Sequence, residues 1–176
     1  AISLIGIVPQ LALYTRATGA WLTSPYASVG AGFHFADPQF FGVLLSTQKG
    51  LFFWSPVLLL AVAGVFVARG AVRQFAAGAV VTMLVNTFLI ASWSDWQFGS
   101  SFGHRAFTDS LALLALFIAS TLAWATKRPR LAWAVYAFAA LAVGLSAVQT
   151  VQYWNGILPQ FDTTWAQYRA VFLQLR

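Results

Sequence analysis

The run from Leu111 to Ala125 carries no charge, and its only hydroxyls are Ser120 and Thr121. Phe75 to Trp93, Leu131 to Val151 and Gly50 to Ala68 are likewise free of charge. A helix of about 20 mostly apolar residues matches the thickness of a bilayer's hydrocarbon core. Only 8% of the 176 residues are charged and 60% are hydrophobic, against about 25% charged in an ordinary soluble domain. So few charges cannot cover a soluble globule, and disorder requires the opposite of this hydrophobicity. The chain is expected to be an all-α, polytopic membrane helical bundle. Its expected spans are 50–68, 75–93, 109–126 and 131–151. A partial span, 1–14, contains Pro9.

Membrane topology follows from the loops. Arg69 and Arg73 lie between the first two full spans, and Lys127, Arg128 and Arg130 lie between the last two. Alternation puts these five bases on one side with no acid. The other side collects Arg16, Lys49, Arg105, Arg169 and Arg176 together with all four Asp. The first side is expected to be cytoplasmic. Segment 15–49, loop 94–108 and the tail 152–176 are then expected to face outward. Tryptophan prefers the membrane interface, and its placement agrees. Trp93, Trp96 and Trp154 fall at outer ends, Trp124 and Trp133 at inner ends, and Trp54 one turn inside the first span. The net charge of +6 thus reflects topology, and no nucleic-acid partner is expected.

Within the spans, Gly64 with Ala68 and Ala140 with Gly144 have the spacing that lets helices approach closely. Ordinary packing inside the chain is the favoured reading, over a dimer motif. Asn86, the one mid-span amide, is expected to make an interhelical hydrogen bond, with a substrate role as the alternative. In the tail, Phe161, Trp165, Tyr168, Phe172 and Leu175 recur at spacings of four and three, one stripe on a helix. Asp162 or Thr163 can cap its start. The stripe suits a helix lying in the outer interface, or one docking onto another membrane subunit. The chain opens at Ala1 inside an apolar run, without Met or a basic leader segment, and reads as part of a longer protein.

Residues able to do chemistry concentrate outside. The stretch Trp93 to Asp109 holds two of the four Asp, His104 and Arg105. Arg105 can grip a phosphate with its planar fork, and His104 can bind phosphate or shuttle a proton. Asp109 follows Arg105 by four residues, so the two can pair on one helical face. On spacing alone, a structural turn held by that pair is the favoured reading of the stretch. Lys49 directly precedes a span and can snorkel to the headgroups. His34 and Asp37 sit upstream in an aromatic loop. Two His and scattered Asp make no metal motif. There is no Cys, no phosphate loop, no HExxH and no GxSxG. No metal or cofactor is expected.

Ser46 to Leu60, with Lys49-Gly50-Leu51-Phe52 and Ser55-Pro56, and Trp96 to Asp109, with Gly99, Ser101-Phe102-Gly103 and Arg105, together resemble the C-terminal half of bacterial polytopic glycosyltransferases of the GT-C type. These are related to protein mannosyltransferases and aminoarabinose transferases. Pro9, Tyr14, Gly19, Ser24 and Tyr26 are similar to the stretch upstream in such proteins, less specifically. The match runs in order over residues 9 to 125. The resemblance implies residence in the bacterial inner membrane. It also implies transfer of a sugar from a polyprenyl-phosphate carrier on the periplasmic face. The catalytic Asp or Glu of that family lies in an early outward loop, so this chain is not expected to be catalytic by itself. Arg105, Lys49 and His104 are the implied contacts of the carrier phosphate, with Asp109 orienting Arg105. Two other readings remain: a non-catalytic accessory subunit of a larger membrane complex, and a small transporter. The latter wants mid-span ionisable residues that the sequence lacks.

Overall fold

The computed structural model describes residues 2–20, 26 and 30–175, with side chains in the first helix described from Ile7 onward. Ala1, Ser24 and Arg176 lie outside the described residues. The helices are α1 (Ile2–Thr18), α2 (Phe40–Leu45), α3 (Leu51–Trp54), α4 (Leu59–Val67), α5 (Gly70–Ser92), α6 (Leu111–Ala125), α7 (Pro129–Trp154) and α8 (Trp165–Ala170). Tight 3-10 turns lead into α4 (Pro56–Leu58) and into α6 (Arg105–Ser110). The sole extended pairing among the described residues is an isolated antiparallel bridge between Phe33 and Trp93. The chain is therefore an all-helical membrane protein.

Three helical stretches are long and apolar enough to cross a bilayer: Gly70–Ser92, Arg105–Ala125 and Pro129–Trp154, with mean hydropathies of 1.8, 1.8 and 2.0. They coincide with three of the four expected spans. Only 11% of the apolar window of α7 is buried inside the chain, so most of it is left for lipid or another apolar segment to cover. Trp133 and Trp154 are 78% and 88% exposed near the two ends of α7. Their separation along the helix is roughly 31 Å at 1.5 Å per residue. That is about the ~30 Å depth of the hydrocarbon core, so both rings can sit at an interface at once.

The expected span 50–68 is not one helix. It breaks at Ser55–Pro56 into α3 and a short apolar piece, Pro56–Val67, about 18 Å long by helical rise. Pro56 has no N–H to give back along the helix, and Leu58 N donates to Ser55 O (3.0 Å) in place of the Trp54 carbonyl. That carbonyl is recovered from another helix: Ser146 Oγ on α7 donates to Trp54 O (3.0 Å). The break also turns Trp54 inward. It is 4% exposed, and its Nε1–H donates to Thr47 O (3.2 Å).

α4 and α6 form the tightest pair. A side chain at Gly64 would run into the backbone carbonyl of Phe117, so the glycine lets the two backbones touch. Thr121 Oγ1 on α6 donates to Leu60 O on α4 (2.7 Å), next to Ala61 and Phe117 in the buried core. The Gly64/Ala68 spacing thus serves packing within the chain. Gly144, by contrast, has nothing within 4 Å of where a Cβ would stand. Asn86 Nδ2 on α5 donates to Ser110 Oγ at the head of α6 (3.3 Å), the expected interhelical bond.

The tail departs from the single helix expected. α7 ends at Trp154, Gly156 takes a left-handed φ of 71°, and the short α8 begins only at Trp165. The cap is Thr164, in a reciprocal capping box with Gln167. Asp162 and Thr163 do not cap it, and Asp162 itself has φ 50°. Of the aromatic stripe, Tyr168 turns into the bundle. It packs on Phe53 (4.8 Å) and Trp54 (5.8 Å), and Gln149 Nε2 donates to its hydroxyl (2.9 Å). Gln152 Nε2 donates to Val171 O and Gln174 O (2.6 and 2.7 Å). Two α7 amides therefore pin the tail onto the chain's own helices.

Substituting Gly64→Val is expected to lower thermal stability in detergent or nanodiscs by several degrees, because the Phe117 backbone cannot yield. Gly144→Ala is expected to leave it unchanged. Equal effects of the two would mean that α4 and α6 do not touch as described.

Candidate functional site: an acid-free basic cluster where two loops meet

Two loops meet above the break at Pro56. The first is the turn Ser46–Gly50. Ser46 Oγ donates to Gly42 O (2.7 Å) and accepts from Lys49 N (3.3 Å). A Cβ on Gly50 would stand 2.5 Å from Ser46 N and O, so only glycine closes this turn. The closure fixes where Lys49 leaves the backbone.

The second loop runs from Trp93 to His104. Gly99 and Gly103 take left-handed φ values of 72° and 62°, which glycine adopts without strain. Gly103 backs onto Trp54, 3.7 Å from its Cβ to the position a glycine Cβ would take. Trp96 lies flat over Gly42, where a Cβ would meet its ring at 2.7 Å.

Lys49 reaches across from the first loop to the second. It is 5% exposed. Its Nζ donates to Ser101 O and lies 6.0 Å from the centre of the Tyr153 ring. Snorkelling to the headgroups would leave it open to water, and that expectation is not met. Burial lowers its pKa, and the positive charge of Arg105 lowers it further. His104 is 7% exposed, held edge-on against Phe107 (5.1 Å) and tilted against Phe98 (6.0 Å). Neither of its ring nitrogens makes a hydrogen bond. Burial drives its pKa down to about 4, and the charge on Lys49 adds to this. The Trp96 backbone opposes the shift only in part, standing near without closing a regular bond to the ring. Three of the four residues singled out in the sequence thus come together, and their charges act on one another.

Asp109 does not join them. Arg105 and Asp109 are both exposed, and no ion pair links them. The i,i+4 expectation assumed an α-helix, but residues 105–110 form a 3-10 turn. In that geometry residues three apart eclipse and residues four apart diverge. Thr108, three residues on, makes the local contact: its Oγ1 donates to Arg105 O (2.7 Å). Asp37, Asp95 and Asp162 are exposed as well; Asp162 Oδ1 accepts from Gln97 Nε2 (3.5 Å), and no carboxylate acts on the charge of Lys49 or His104. His34 and Asp37 lie in an exposed loop, tied to the end of α5 through His34 N to Ser92 O (2.6 Å). Among the described residues no group of three His or Asp side chains could hold a metal ion.

Two hollows are lined by residues next in the chain to the cluster. An apolar groove of about 330 Å³ runs between α4 and α5, lined by Leu51, Phe52, Leu58, Val62, Met83 and Leu84 among others. Leu51 and Phe52 follow Lys49-Gly50 directly. An open cleft of about 760 Å³ is walled by Trp96 and Trp165 and edged by Gln39, Thr47, Gln48 and Thr164, with no charged residue in its lining. Gln97 Nε2 donates to Gln48 Oε1 (3.1 Å) and Thr47 Oγ1 to Thr163 O (2.6 Å), which ties the loops and tail around it. Nothing in the sequence signals that Thr47, Gln48 and Trp165 meet. Their distance along the chain hid the juxtaposition. Tyr153 was equally unmarked, beside the interfacial Trp154.

No known family, curated protein or solved structure matches this chain. The functional reading therefore rests on the site itself.

Acidification should destabilise the fold through His104. Its folded-state pKa of about 4 lies below the ~6.5 of an unfolded histidine. Between those values the unfolded chain binds the extra proton, so stability falls as pH drops from about 6.5 toward 4, by up to about 3 kcal/mol. Thermal unfolding at pH 7.5 and pH 5 is expected to show this loss, and His104→Phe to reduce it. Identical pH slopes would refute the assignment.

Proposed function

We propose that this chain is the C-terminal membrane part of a GT-C-type glycosyltransferase that uses a polyprenyl-phosphate-linked sugar on the periplasmic face of the bacterial inner membrane. Within it, the chain holds the carrier and leaves the chemistry to residues elsewhere. The observation that carries this reading is a set of three basic groups, Lys49, His104 and Arg105, with no carboxylate among them, together with an apolar groove lined by Leu51 and Phe52, which follow Lys49-Gly50 in the chain. Such a pairing of cationic head site and apolar channel suits an anionic lipid. The phosphate accepts from the Lys49 ammonium and the Arg105 guanidinium. The isoprenoid chain lies along Leu51, Phe52 and Met83. The uncharged cleft offers what a sugar needs, flat aromatic faces with amides and hydroxyls at the rim. The orientation is supported by the loops: those bearing Arg69 and Lys127 meet on the opposite side of the helices.

The absence of a carboxylate at the cluster sets the division of labour. A basic pocket can bind and orient a phosphate, but sugar transfer also needs a base for the acceptor. The same fact favours a second reading, in which the chain is a non-catalytic accessory subunit. The half-exposed Phe161, Trp165 and Phe172 would then contact a partner.

Binding of a polyprenyl phosphate to the purified chain, followed by native mass spectrometry, tests the first reading. Lys49→Gln and Arg105→Gln are each expected to weaken it by roughly 10- to 100-fold, as loss of a charge-assisted hydrogen bond does. Asp109→Asn is expected to bind as the unaltered chain. Unchanged binding in both basic variants would remove the carrier site. Stoichiometric co-purification with another membrane protein, unaffected by Arg105→Ala, would favour the accessory reading.

A further inference from the structure

The opposite face of the bundle carries a second acid-free basic cleft. It lies where the α4–α5 and α6–α7 connections meet, and it is unconnected with the sugar-transfer reading. Its volume is about 250 Å³, and it is lined by Val67, Arg69, Ser120, Ala123, Trp124 and Lys127. Five bases crowd this face, and the chain's four Asp all lie in the other set of loops. Two of the five are engaged within the protein. Arg73 Nη1 donates to Val65 O (3.3 Å), and the Arg128 guanidinium stacks over Trp124 at 4.2 Å. Arg69 and Lys127, the two that line the cleft, have no acidic partner among the described residues.

Helix dipoles do not supply the missing negative charge. α4 and α6 end on this face, but α5 and α7 begin on it, so their partial charges offset one another. Neither α5 nor α7 has a side-chain cap or an acidic residue in its first turn. The side-chain charge therefore stands uncompensated at the mouth of a cleft whose inner wall is apolar. Trp124, clamped by Arg128, supplies an aromatic wall of the kind that favours headgroup depth. The volume falls below the ~300 Å³ at which pockets for drug-sized ligands begin. It suits a headgroup with the first carbons of a chain, the remainder lying in the bilayer.

We propose that this cleft binds the headgroup of an anionic glycerophospholipid, with its phosphate between Arg69 and Lys127 and its acyl chain passing out over Val67 and Ala123. Basic pockets between membrane helices recognise such lipids through the phosphate charge. The apolar wall distinguishes a lipid phosphate from a free one.

The test uses the whole chain purified in neutral detergent. Phosphatidylglycerol or cardiolipin, phosphatidylcholine and inorganic phosphate are added separately, and adducts and thermal unfolding are measured. The anionic lipids are expected to form retained one-to-one adducts and to raise the melting temperature. Phosphatidylcholine and inorganic phosphate are expected to do neither. The double variant Arg69→Gln/Lys127→Gln is expected to weaken adduct formation at least about tenfold. Arg130→Gln, which removes a charge from the same face outside the cleft, is expected to retain it. Three results would overturn the proposal. One is equal protection by phosphatidylcholine. Another is equal loss on Arg130→Gln, which would mean general charge attraction. The third is saturation by inorganic phosphate alone, which would make this a free-anion site. The lipid comparison on the unaltered chain stands even if the double variant folds poorly.

Discussion

A backbone carbonyl freed near membrane depth must find a donor, because lipid offers none. Pro56 breaks the first apolar segment, and the Trp54 carbonyl loses its helical partner. Ser146 on α7 replaces it at 3.0 Å. This one bond links the broken segment to a helix nearly a hundred residues later in the chain, and the Lys49 loop above the break depends on it. With the break held open, α3 stands apart from α4, Trp54 turns inward, and the Ser46–Gly50 turn sits above the bundle with Lys49 at its end. An unbroken helix through residue 50 would instead have carried Lys49 along its own axis, toward the headgroups.

Burial without neutralisation defines the cluster so positioned. Lys49 and His104 both have pKa values depressed by desolvation and by a neighbouring positive group. His104 answers by staying neutral near pH 7. Lys49 keeps one carbonyl partner, Ser101 O, and an aromatic ring 6.0 Å away. These are weak substitutes for a carboxylate. A protein gains nothing in stability from such an arrangement, since unpaired buried charge is costly. An arriving anion would relieve the repulsion and the desolvation together. That energetic asymmetry separates this site from a structural turn held by an ion pair.

The amino-acid sequence made the long spans legible because their signal is length and hydropathy alone, and α5, α6 and α7 need nothing else. It also placed Lys49, His104 and Arg105 in the two loops that meet. Three features escaped it for stereochemical reasons. In the apolar run 50–68 Pro56 sits near the start, where a helix's first turn tolerates proline, so hydropathy alone hid the break. The partner that makes the break tolerable, Ser146, is remote. The Arg105–Asp109 pair needs α-helical spacing where the chain adopts a 3-10 turn. In the tail, the stripe from Phe161 to Leu175 obeys a helical period, yet only Trp165–Ala170 is helical. Tyr168 and the amides Gln149 and Gln152 fold the segment inward, a tertiary preference that overrides its periodicity.

The two basic clusters differ in a way that bears on what each can recognise. Lys49 and His104 lie out of water, where a charge is screened little and geometry is fixed by glycine-closed turns. An anion there must shed its own hydration and match fixed donors, so selectivity is high and ionic strength matters little. Arg69 and Lys127 are exposed, and the Debye length at physiological salt is only about 8 Å. Attraction there is screened and forgiving of headgroup shape, and it becomes strong only where an apolar chain adds its own burial. Rigid, desolvated donors of the Lys49–His104 kind suit selection of one anion. Exposed bases beside an apolar wall, as at the proposed lipid cleft, suit any anionic lipid the surrounding leaflet supplies.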